Sequence, residues 1–183
     1  VARPVAHPIA RRVAGVVTAL ACIVAVGASF AFITADASYL QARLAFGAGD
    51  YRTSLELAYR ARAYNPVSLK YARGTAEASG ELVAEAIRQG ADFSAVRQLY
   101  AIALGDYERV LRLDPNDYPG RAWLASLQAR AGLYLSDDAL LSDAAANASV
   151  AATLDRHHVE VTALMRSPDK QSADAAASVR RLP

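Results

Sequence analysis

Between Val13 and Thr34 the chain reads VAGVVTALACIVAVGASFAFIT, a run without a single charge. At 1.5 Å per helical residue its roughly 22 residues reach about 33 Å, enough to cross a hydrocarbon core about 30 Å thick. No other segment constrains the fold so strongly, because a stretch this apolar must be covered by lipid or by protein. Arg3, Arg11 and Arg12 precede it and Asp36, the first acid, follows it. The positive-inside rule then predicts residues 1–12 in the cytoplasm, a transmembrane helix over 13–34, and everything after it exported. Three rival uses of the run fit less well. A cleaved signal peptide would use Ala35-Asp36-Ala37, with cleavage at Ala37, but such peptides carry a shorter apolar region. A lipoprotein would be modified at Cys22, but the residues after Cys22 stay apolar. A twin-arginine signal at Arg11-Arg12 lacks the flanking Ser and Phe. Small residues at Gly15, Ala19, Gly27 and Ala31 recur at multiples of four, a spacing that lets membrane helices pack closely and that an Ala-rich chain also produces by chance.

Beyond Asp36 the apolar spacing is helical and nothing reads as a strand. Tyr100, Ala103, Leu104, Tyr107, Val110 and Leu111 fall on one helix face, as do Leu124, Leu127 and Ala131. Ala dominates the apolar residues and aromatics are few, a composition that suits closely packed helices. Turn residues divide the sequence into helices near 37–46, 51–63, 67–89 with a break at Ser79-Gly80, 93–113, 119–131 and 137–166. Gly47 and Gly49 separate the first two. Pro66, Pro115 and Gly132 act as terminators, Asp92 caps a helix after Gly90, and Ser136 with Asp137 and Asp138 opens the last. Residues 167–183, from Ser167 onward, are polar and small, which predicts a flexible tail.

Gly-Asp-Tyr occurs at Gly49–Tyr51 and again at Gly105–Tyr107, but aligning the two triplets spoils the apolar pattern. Aligning Pro66 with Pro115 instead brings Ser54 onto Ala103, Ala58 onto Tyr107 and Ala61 onto Val110. In that register the order Ala42, Gly49, Asp50, Tyr51, Ser54, Ala61, Pro66 resembles the tetratricopeptide repeat, a pair of antiparallel helices with small residues at fixed places and a closing Pro. A second unit matches in Ala103, Tyr107 and Pro115, with a Pro-to-Pro spacing of 49 residues and therefore longer helices. A third keeps Ala125, Gly132 and Tyr134. The resemblance implies an all-α solenoid of stacked helix pairs over 35–166 that binds proteins in a groove lined by first helices, with Tyr39, Arg43 and Phe46 contributed by the first.

Chemistry-bearing motifs are sparse. No Gly-rich loop leads into Lys-Ser or Lys-Thr, and no Gly-x-Ser-x-Gly elbow occurs. The single Cys excludes an internal disulfide. His157, His158 and Glu160 are the densest set of metal-ligating types; two ligands one helical turn apart make a weak site, and a solvated helix face explains them better. Asp137, Asp138 and Asp143 suit a helix start better than acid-base catalysis. Apart from the three leading Arg, positive and negative residues nearly balance, leaving no basic face for nucleic acid. The basic residues are Arg except Lys70 and Lys170, and with the Ala content this usage suits a GC-rich bacterial gene. The expectation is therefore a non-catalytic scaffold, assembly factor or accessory subunit in a bacterial inner membrane, with its C-terminal domain periplasmic. Its partners would be protein subunits and the lipid bilayer, with no cofactor, metal or small-molecule substrate. The alternatives are a periplasmic metal-dependent enzyme using His157, His158 and Glu160, and a soluble exported chaperone released at Ala37.

Overall fold

The computed structural model describes residues 8–154; residues 1–7, the metal-ligating candidates His157, His158 and Glu160, and the tail lie outside them. The described residues form six α-helices and no strand: α1 Pro8–Gly47, α2 Tyr51–Tyr64, α3 Leu69–Arg88, α4 Phe93–Leu113, α5 Tyr118–Leu135 and α6 Asp138–Leu154. They stack as three antiparallel pairs, α1 with α2, α3 with α4 and α5 with α6.

The apolar run and the helix expected at 37–46 are one continuous 40-residue helix, not two. Ala35, Asp36 and Ala37 supply neither Gly nor Pro, so nothing interrupts the backbone ladder where the charge pattern changes. The side chains described between Val13 and Phe30 are exposed. Ser29 and Thr34 hydroxyls donate to the carbonyls of Ala25 and Phe30 at 2.9 Å, so these two hydroxyls are satisfied within the helix, as an apolar surrounding demands. From Ala31 onward one face turns inward, with Ala35 and Ala42 buried and Tyr39 and Phe46 half-buried.

The register set by Pro66 and Pro115 matches the structure closely. Ser54, Ala58 and Ala61 of α2 and Ala103, Tyr107 and Val110 of α4 are all buried. The two turns that follow share their bonding: Asn65 and Asp114 donate to the carbonyls of Ala61 and Val110, and Ser68 and Asp117 to those of Asn65 and Asp114. Between α1 and α2, Gly49 takes φ +80° and Asp50 caps α2 by accepting from Thr53 N at 3.0 Å. Asp92 caps α4 in the same way, accepting from Ala95 N at 2.9 Å.

Three boundaries differ from expectation. α3 runs through Ser79-Gly80 unbroken, because Gly80 there serves close packing: an added Cβ would meet the Tyr107 hydroxyl at 3.0 Å. Gly132 does not end α5 but lies inside it, where Leu141 of α6 comes within 2.9 Å of a would-be Cβ. α5 ends instead at Leu135, with Ser136 left-handed at φ 53° and Asp137 N donating to Gly132 O at 2.9 Å. The cap of α6 is accordingly Asp137, which accepts from Ala139 N and Leu140 N, and not Ser136. The main core joins α3, α4 and α5 through Val83, Val96, Val110, Leu124 and Leu127, and a smaller cluster of Ala35, Ala61 and Tyr71 fastens α1 and α2 to α3.

Candidate interaction groove

The first helix of each pair contributes to one concave surface. Arg43 and Phe46 of α1 form one wall, Trp123, Ser126 and Arg130 of α5 the other, and Glu77 and Glu81 of α3 line the space between them. Gly80, Tyr107 and Leu127 complete its lining, enclosing about 360 Å³. The absence of a side chain at Gly80 lets Tyr107 reach across from α4, and burial raises the Tyr107 phenol above its ordinary pKa. Arg43 pairs with Glu77 and stacks over Phe46, whose centroid lies 5.2 Å away. Phe46 meets Tyr51 edge-on at 5.3 Å. The surface thus offers two carboxylates, two guanidinium groups and the sole indole of the chain, which is 38 % exposed.

Part-buried ion pairs tie the helices of the groove together. Asp106 of α4 accepts from Arg62 and from the Tyr59 hydroxyl of α2, both at 2.7 Å, and Arg62 also donates to Thr75 of α3 at 3.1 Å. Arg73 of α3 forks onto the fully buried Asp117 at 3.0 and 2.6 Å, which joins the second pair to the turn opening the third. Asp117 also holds Arg73 protonated, its bonds raising the guanidinium pKa further. Each charge is matched and hydrogen-bonded, as burial requires.

Of the three residues expected in the groove, Arg43 and Phe46 line it; Tyr39 does not, and packs instead against Gly74 and the ring of Tyr71, 5.4 Å centroid to centroid. Gly15, Ala19 and Gly27 are exposed on the apolar run and Ala31 is half-buried toward the repeats. Sequence reasoning passed over Glu77, Glu81, Trp123 and Arg130. The signal for Trp123 was its position beside, not on, the apolar face of Leu124, Leu127 and Ala131. Among the described residues no group of three or more His, Cys, Asp or Glu is placed to hold a metal ion.

No family model matches the sequence, and no curated protein matches it. Among solved structures, the first TPR of Spaghetti (RPAP3) bound to HSP90 peptide SRMEEVD is similar, with 14 % sequence identity, 80 % of this chain and 95 % of that chain covered, and a TM-score of 0.56. The fold is tetratricopeptide-repeat-like. Three helix pairs with their first helices on the concave side are the arrangement that this TPR-like fold shares with other helical solenoids, in which each pair buries its apolar face only against its neighbours.

Proposed function

We propose that this chain is a non-catalytic scaffold, an assembly factor or accessory subunit of a larger bacterial membrane complex, anchored by α1 and binding protein through the concave groove. The observation that carries the reading is the groove itself, in which a half-exposed Trp123 faces Arg43 and Phe46 across a carboxylate-lined helix. Aromatic and Arg side chains clustered in a concavity are the groups that dominate protein-binding energetics. A TPR neighbour with a bound peptide supports the use of such a surface. Anchoring is supported by the exposed apolar run of α1, which has no protein cover, and the leading Arg residues favour a cytoplasmic N-terminus and a periplasmic repeat domain.

The test is purification of the full chain in mild detergent from its source membrane. A stoichiometric protein partner is expected, and Trp123→Ala is expected to weaken its retention about thirtyfold, the loss of about 2 kcal/mol typical of a hot spot. A monomer without a stoichiometric partner would overturn the proposal. Resistance of the chain to carbonate extraction checks the anchor, and N-terminal sequencing of the mature protein separates a retained α1 from release at Ala37.

A further inference from the structure

Because α1 passes without a break from the apolar run into the first repeat, it fixes the height of that repeat above any membrane the run crosses. This inference rests on the proposal that the run spans the bilayer. The inward-facing side of α1 begins at Ala31, before the run has ended. α2 returns antiparallel along it, with Ala61 clustered beside Ala35. With Ala61 taken as level with Ala35, three further residues at 1.5 Å each carry Tyr64 about 4.5 Å past it, to about the level of Phe32 near the end of the run. The turn after Tyr64 is held at that height. Tyr71 and Lys70, at the start of α3, both donate to Asp36, at 2.8 and 2.7 Å, and Arg109 donates to the carbonyl of Pro66 at 2.6 Å. Yet three of its side chains are exposed: Tyr64 at 51 %, Val67 at 75 % and Pro66 between them. Lys70 neutralises Asp36, the acid nearest the run, so no unpaired negative charge from that residue opposes approach to a lipid surface.

We propose that Tyr64, Pro66 and Val67 form a membrane-docking knuckle, seated in the interfacial layer of the bilayer beside α1. Tyr suits this layer, where its ring is shielded and its hydroxyl stays wet. A docked knuckle gives the repeat domain a second point of attachment and so a fixed orientation.

The test uses the full chain with Cys22→Ala, reconstituted in vesicles of phosphatidylcholine and phosphatidylglycerol, and a nitroxide on Val67→Cys, Val24→Cys or Phe93→Cys. Collisions with oxygen, which partitions into lipid, are compared with collisions with a water-soluble nickel chelate. The label at Val24→Cys is expected to be oxygen-rich and that at Phe93→Cys nickel-rich. For Val67→Cys, a severalfold drop in nickel collisions relative to Phe93→Cys, with oxygen collisions raised, supports the knuckle. Nickel access equal to that of Phe93→Cys overturns it, as does low access to both reagents, which marks protein cover. If Val24→Cys is itself nickel-rich, the spanning reading fails and the knuckle with it; if only Val67→Cys is, the span stands and the knuckle alone is overturned.

Discussion

A methyl group added at Gly74 would lie 2.6 Å from the Tyr39 ring, and one at Gly120 would lie 2.7 Å from Asp117 and 3.0 Å from Val110, whereas one at Gly105 meets nothing within 4 Å. All three glycines are helical, so propensity alone favours Ala at each by about 1 kcal/mol. Packing reverses the sign at two of them. Gly105→Ala is expected to raise stability by up to about 1 kcal/mol, while Gly74→Ala lowers it by about 1–3 kcal/mol through overpacking; denaturation followed by helical circular dichroism reads both. Asp117→Ala leaves Arg73 without its forked partner and is expected to cost about 3 kcal/mol, at the low end for a broken buried pair because the guanidinium retains some access to water. The residue scale is also where sequence said least. Asp50 and Asp106 each follow a Gly and precede a Tyr, yet Asp50 is an exposed cap and Asp106 a buried anchor for Arg62 and Tyr59. Neighbours in sequence are the same; neighbours in space come from α2, and only the fold supplies those.

Helix ends were legible wherever the turn chemistry is local. Gly49 with Asp50, Gly90 with Asp92, and the two Pro turns each act through bonds to residues no more than five positions away. The ends that were misplaced depend on packing between elements: Gly80 and Gly132 resemble breaks, but each makes room for a side chain of another helix, Tyr107 or Leu141. Two helix starts separate capping from mere position. Asp137 accepts from the first amides of α6, whereas Ser68 before α3 makes no side-chain cap bond. Asp137→Ala is therefore expected to cost about 1 kcal/mol and Ser68→Ala only a few tenths, a contrast that denaturant titration of the two variants measures.

Across the whole molecule, the phenols set an alkaline limit. Burial raises Tyr39, Tyr59, Tyr71, Tyr100 and Tyr107 above the ordinary value of 10.0, Tyr71 to about 12 with Asp36 adding to the effect. A raised value means the folded state holds its proton more tightly, so the linked stability is complete below pH 10 and is lost as pH climbs through the folded values. The chain is expected to hold its fold to about pH 10 and to lose stability steeply toward pH 12, with tyrosinate absorbance and helical signal changing together; tyrosinate forming well before helix is lost would contradict this. The same sequence that left these burials unseen did determine much by itself. Helical period, an Ala-rich composition, the uncharged run and the Pro-to-Pro register act locally or along one helix, and they specified an all-α chain of stacked pairs. The tertiary structure decided what depends on several elements meeting: the uninterrupted passage of α1 from the run into the first repeat, the pairing of Asp106 and Asp117 with Arg from other helices, and a groove whose walls stand 80 residues apart, at Arg43 and Trp123. Periodicity states which face of a helix is apolar, but not which helix that face will meet.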